Sequence, residues 1–186
     1  MARLCSQAVI LCEDQQQEVF IRHFLMRKGY SQRQMRIERC PSGKQAGEQF
    51  VREKYPAELK ALRQRSARAE TALLVMIDAD KRSVAETAKW LDAICSEQGV
   101  AVRNQDDRAA LLIPSRNIET WIHFLGGEAV DEKTTYSKLR YESDCKPGVK
   151  ELFEICSKGE CPMDFPDSLK MACVEYQRVK LVSNIK

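Results

Sequence analysis

The chain has 186 residues, 44% hydrophobic and 31% charged, with 30 Lys and Arg against 27 Asp and Glu and a formal net charge of +3. That balance suits one globular domain with a real core and room for a small appended lobe. No apolar run approaches the roughly 20 residues a bilayer span needs, so no membrane partner is expected, and +3 neither demands nor forbids a nucleic-acid partner.

"AVILC", residues 8–12, is a short continuous apolar run and reads as a central strand. The preceding "MARLCSQ" puts a basic residue before that run. Ser6 and Gln7 interrupt it, acids follow it and no small-residue cleavage site is present, so a signal peptide is not the reading and a cytoplasmic protein is expected. "QEVFIRHFLMRKGY" has helical spacing with Gly29 as its stop, and "RQMRIERC" reads as a second, more exposed strand. "PSGKQAG" is a turn leading into a long helix that Pro56 is expected to interrupt or kink. "TALLVMIDAD" is a third strand. "SVAETAKWLDAIC" is a helix, with Ser83 as N-cap and Glu86 completing a capping box. "AALLIP" is a fourth strand, and "NIETWIHFL" a short helix ended by Gly126 and Gly127. "VKELFEIC" and "SLKMACVEYQRVKLV" read as helices around a Cys-rich loop.

Alternating strands and helices predict an α/β domain over residues 1–128 with a mostly parallel four-stranded sheet flanked by helices, and a helical C-terminal extension over 129–186 packed on it. In such sheets ligands collect outside the carboxyl ends of the strands. Glu13 follows the first strand, Asp78 and Asp80 the third, and Glu119 lies just past the fourth. In extended chain Asp78 and Asp80 point the same way. Like charges so placed cost stability unless neutralised, either by a hard cation such as Mg²⁺ or by Lys81 and Arg82 in an ion cluster.

"AVILCED" ending in Glu13, followed by "LLVMIDAD" with Asp78 and Asp80, resembles the Toprim domain of topoisomerases, primases and overcoming-lysogenization-defect (OLD) nucleases. "IPSRNIETWI" with Glu119 resembles the matching segment of small stand-alone Toprim-like proteins of bacterial defence islands. The resemblance spans roughly residues 7–125. It implies a Toprim-like, Rossmann-like fold and a Mg²⁺- or Mn²⁺-dependent nuclease acting on DNA or RNA in anti-phage defence, with a separate ABC-type ATPase as partner. Glu13, Glu18, Asp78, Asp80 and Glu119 would be metal ligands; Glu13, Asp78, Asp80 and Lys150 would be catalytic. One departure stands out. Where the family has Glu-Gly and then a second acid, this chain has "EDQQQE", so either Asp14 or Glu18 takes the second acid's place. A non-catalytic Toprim subunit that uses the pocket for metal or partner binding is the alternative.

Further cations are candidates for phosphate contact: Lys44, Arg108, Arg116, and the run Arg27, Lys28, Arg33, Arg36 and Arg39 around Tyr30. The required Walker spacing is absent around Lys44, so the chain is not itself expected to be an ATPase. Trp90 and Trp121 are expected in the core, and His23 and His123 in packing or at the surface. Of eight cysteines, Cys5, Cys12, Cys95 and Cys173 sit in apolar patterns as small hydrophobes. Cys145, Cys156 and Cys161 leave open zinc binding or plain reduced thiols.

Overall fold

The computed structural model describes residues 5–66, 70–159, 161–179 and 181. The elements run β1 (Gln7–Cys12), α1 (Gln15–Arg27), β2 (Met35–Arg39), α2 (Gly47–Ser66), β3 (Thr71–Met76), α3 (Val84–Glu97), β4 (Ala109–Leu112), α4 (Glu119–Leu125), α5 (Lys146–Ser157) and α6 (Asp167–Arg178). The four strands form one all-parallel sheet in the order β2-β1-β3-β4. The expected strands and helices are all present. The last residues of "QRVKLV" lie largely outside the described residues.

Residues of the inner strands alternate between two cores, as a sheet covered on both faces requires. Ala8, Ile10 and Cys12 of β1, with Ala72, Leu74 and Met76 of β3, face α1, α4, α5 and α6. Val9, Leu11, Leu73 and Val75 face α2 and α3. This two-sided burial is why both strands are apolar without interruption. β2 lies at an edge, half-buried throughout, which accounts for its mixed basic and apolar sequence.

Side chains close the helix ends. Asp14 caps α1 by accepting from the Gln17 amide at 2.9 Å. Ser83 and Glu86 form the reciprocal capping box of α3, at 3.2 and 2.7 Å. α2 runs through Pro56 without the expected interruption, forgoing the one backbone hydrogen bond that the missing N–H would have made. Residues beyond 128 share the first core: Val149 and Leu152 of α5, Phe165, and Leu169 and Ala172 of α6 are all buried in it. α6 also protects the β4 edge, because Glu175 Oε2 accepts the Leu111 N–H at 3.0 Å.

Candidate functional site

β1 leads through α1 to β2 on one side, while β3 leads through α3 to β4 on the other. The chain therefore diverges at the carboxyl ends of β1 and β3, and a crevice opens there. Register pairs Cys12 with Met76, which brings Glu13, the residue after β1, and Asp78, two residues past β3, to the same point.

Glu13 Oε1 accepts the Asp78 N–H at 2.6 Å. Gln17 joins the two acids: its Nε2 donates to Asp78 Oδ1 at 2.9 Å, and its Oε1 accepts the Glu13 N–H at 2.9 Å. Gln17 is fully buried. Nothing in its sequence context, a run of three glutamines, distinguishes it from its neighbours. α2 closes the other side. A Cβ on Gly47 would lie 2.7 Å from Glu13 Cβ and 2.9 Å from its carbonyl oxygen, so only glycine lets the α2 N-terminus approach this closely.

Burial pushes the Glu13 carboxyl up to about 8. The Asp78 N–H opposes this shift, and the charges of Asp80, Asp14 and Glu48 add to it. Asp78 is raised well above the usual range by burial and by Glu13, Asp14 and Glu119, against the Gln17 hydrogen bond. Glu119 is 2% exposed, its Oε1 has no hydrogen-bond partner, and burial raises it also. Burial and the neighbouring carboxyls thus shift all three acids toward their protonated forms.

Asp78 and Asp80 do not share one environment, contrary to the extended-chain expectation. β3 pairing ends at Met76, and Asp80 adopts φ +52, which turns its exposed side chain toward Glu48, Lys81, Arg82 and Arg116. Arg116 also has positive φ, +66, and its Nη1 donates to the Asp80 carbonyl at 3.0 Å. Two non-glycine residues in the left-handed region thus meet at the sheet's carboxyl edge, where such strain commonly accompanies a site.

A cleft of about 270 Å³ adjoins these residues, lined by Glu13, Asp14, Arg39, Gly47, Glu119 and Lys138, among others. Glu142 also lines it, and its carbonyl accepts from Gln16 Nε2 at 3.1 Å, so the segment after residue 128 builds one wall. The Asn117 amide holds that segment by donating to the Tyr136 carbonyl at 2.8 Å. Lys138 lies 3.8 Å from Asp14 and is the cation that sequence patterning missed, since it falls in an irregular stretch with no periodic signal.

Between the two candidates for the second acid, Asp14 lines the cleft, whereas Glu18 sits a turn into α1, bridged to Arg39 at 3.2 Å and Arg22 at 3.9 Å. Lys150 is not brought to the site. It lies on the exposed side of α5, 3.8 Å from Glu154. Arg108 precedes β4 at the opposite end of the sheet and pairs with Glu70. Lys44 lies in the turn before α2 but does not line the cleft. The run around Tyr30 is no open basic patch: Tyr30 and Lys28 are buried, Arg36 pairs with Glu38 and Glu58, and Arg39 with Glu18. Trp121 is in the core as expected, donating to Ser168 Oγ at 2.8 Å. Trp90 is only half-buried, between the guanidinium groups of Arg82 and Arg52 at 4.3 and 5.6 Å from its ring centroid.

The donor set for a cation is all oxygen, which suits Mg²⁺ or Mn²⁺, and Glu119 Oε1 is a buried acceptor with no protein donor. Among the described residues no three Asp, Glu, His or Cys side chains converge tightly enough to enclose an ion. One or two carboxylates with water completing the shell is the arrangement these residues fit, and it is common for Mg²⁺. Cys145, Cys156 and Cys161 form no zinc set, because Cys145 is buried beside Gln16, away from the other two. Among the described residues no helix is long and apolar enough to cross a membrane. The chain matches no family model, no curated protein and no solved structure.

Proposed function

We propose that this cleft binds a divalent cation and hydrolyses phosphodiester bonds of DNA or RNA. The observation that carries the reading is the Glu13–Asp78 contact at the sheet's switch point, beside the unpartnered oxygen of Glu119. One or two of Asp78, Glu119 and Asp80 would hold Mg²⁺ or Mn²⁺ with water completing the shell, and Glu13 Oε2 would accept a proton. The chemistry a bound cation supplies is polarisation of the phosphate and acidification of a water. Burial pushes Glu13 up to about 8 with no cation bound, and a cation beside it would lower it toward the range where a general base works. Lys138 and Arg116 supply positive charge near the cleft for the flanking phosphates. A role in anti-phage defence with a separate ABC-type ATPase rests on the Toprim resemblance alone.

The test is incubation of plasmid DNA and total tRNA with the purified protein and Mg²⁺ or Mn²⁺, beside Asp78→Asn/Asp80→Asn. Cleavage confined to the parent protein supports the reading and names the substrate class. Equal cleavage by the double variant removes it.

A non-catalytic subunit is the second reading, favoured by the way Gln17 and the Asp78 amide already satisfy the two central acids internally. Calorimetric binding of Mn²⁺ without cleavage of either nucleic acid, alone or with an ATPase partner, is its expected signature.

A further inference from the structure

The two edges of the sheet are treated differently. At β4, Glu175 of α6 accepts the Leu111 N–H at 3.0 Å. β2 pairs only with β1, and its residues are all half-buried. The Cys40 N–H donates to the Cys12 carbonyl at 3.4 Å, so by the alternation of an extended strand Arg36 and Glu38 also direct their backbone groups at β1. Met35, Ile37 and Arg39 direct theirs the other way, and the Met35 N–H meets the Gln32 carbonyl. Among the described residues, no other element bonds to the N–H or C=O of Ile37 or Arg39. Side chains alternate in step. Met35 and Ile37 pack on the α1 core and Arg39 pairs with Glu18 of α1, whereas Arg36 pairs with Glu58 of α2. What remains is an open row of backbone donors and acceptors, flanked by charges of both signs, and such a row is a template for further strand pairing.

We infer that β2 is the interface of a twofold dimer, in which a second copy of this chain adds its own β2 antiparallel to the first. Charge selects the register. With the axis at Ile37, the two copies of Ile37 exchange both backbone hydrogen bonds, and each Arg39 N–H donates to the Met35 carbonyl of the other copy. Arg36 of one copy then lies opposite Glu38 of the other, once on each side of the axis and on the α2 face. Moving the axis to Arg36 or to Glu38 keeps the outward groups opposed but sets Arg36 against Arg36, or Glu38 against Glu38. Like charges directly opposite one another destabilise a strand pair. The stretch "MRIER" is thus complementary to its own reverse about Ile37 alone, which is why a second copy, rather than an unrelated extended peptide, fits this edge. The two Ile37 side chains meet at the centre and bury apolar surface left half-exposed in the single chain. Two four-stranded sheets become one continuous sheet. Because the strands run antiparallel across the axis, the two acid clefts open at opposite edges of that sheet. The inference does not depend on the cleft being a nuclease.

Sedimentation velocity of the full chain over a concentration series is expected to show a monomer–dimer equilibrium. Hydrogen exchange over the same series should show the Ile37 and Arg39 amides gaining protection as the dimer fills. Arg36→Glu and Glu38→Arg each set like charges across the axis, and each raises the dissociation constant of the dimer about tenfold. Mixed in equal amounts, the two variants restore opposite charges at both pairs and dimerise as the parent does. Arg36→Glu also faces Glu58 within its own chain, so Ile37→Pro serves as a second variant. The N–H it removes has no partner in the single chain, so the fold stays intact by circular dichroism while the dimer is lost. A chain that is monomeric throughout overturns the inference. So does a dimer that survives Ile37→Pro or either charge reversal, a mixture that fails to recover, or amide protection that appears only when another extended peptide is added.

Discussion

The backbone N–H of Asp78 donates to the side chain of Glu13 at 2.6 Å, across 65 residues of sequence. This contact joins β1 to β3 just beyond their last paired residues and sets two acids against each other in a half-buried crevice. The cost of that arrangement is visible in the upward shifts of both carboxyls.

Glu13→Gln preserves an oxygen to accept the Asp78 N–H while removing the acid. Above pH 8 the parent must hold a desolvated charge there, so the variant gains stability on the order of 1 kcal/mol, or about 2–4 °C in Tm. Nucleic-acid cleavage is expected to disappear. Scanning calorimetry at pH 8.5 beside the plasmid and tRNA assay checks both; a stabilised variant that still cleaves would separate Glu13 from the chemistry.

The pH dependence has a definite sign. Glu13 has its ordinary value near 4.5 when unfolded and about 8 when folded. Its contribution to stability is therefore full below about pH 4.5, declines as pH rises across that window, and is gone above about 8. Asp78 shifts in the same direction. Mg²⁺ or Mn²⁺ should offset the decline, because cation binding displaces those protons. Tm measured from pH 5 to 9 with and without Mn²⁺ should diverge toward high pH; parallel curves would count against a cation in this cleft.

Gly47→Ala places a methyl group 2.7 Å from Glu13 Cβ, against backbone that cannot retreat without moving α2. A loss of about 1–3 kcal/mol is expected from such overpacking, together with weaker Mn²⁺ binding. Denaturant unfolding and calorimetry read the two effects separately.

Asp107 and Arg63 provide the opposite pH sign, at the other end of the sheet. Burial alone would raise Asp107, but Arg63, at 2.9 and 2.7 Å, and the Asn104 N–H outweigh it and hold the carboxyl below its ordinary value. Its stabilisation is present above the unfolded value near 3.8 and is lost as pH falls through the folded one. Asp107→Asn should cost about 2 kcal/mol at neutral pH, the scale of charge-assisted hydrogen bonds, with the difference from the parent shrinking in acid. Urea midpoints at pH 7 and pH 3 test this.

Lys150→Ala should leave cleavage within about twofold of the parent, as expected for an exposed side chain whose nearest charge is on its own helix. A loss of tenfold or more in the nuclease assay would return Lys150 to the chemistry.

Periodicity alone determined the strands, the helices and the α/β class, because β1 and β3 are buried on both faces and the helices carry legible stops and caps such as Ser83 with Glu86. The positions of Glu13 and Asp78 just past strand ends, and of Glu119 opening the helix after β4, were legible for the same reason: a parallel sheet sends every strand's carboxyl end to one edge. Their surroundings were not. Gln17, Gly47 and Lys138 reach Glu13 or its cleft from three separate elements, and no local pattern records which residues a crossover will bring together. Asp14 rather than Glu18 lines the cleft because Glu18 lies a turn further into α1, where Arg39 arrives from β2 to pair with it. Cys173 was readable as a buried hydrophobe from its apolar neighbours, and it is buried in the first core. Short-range spacing decides what each element buries; which charges then face one another is decided by long-range packing.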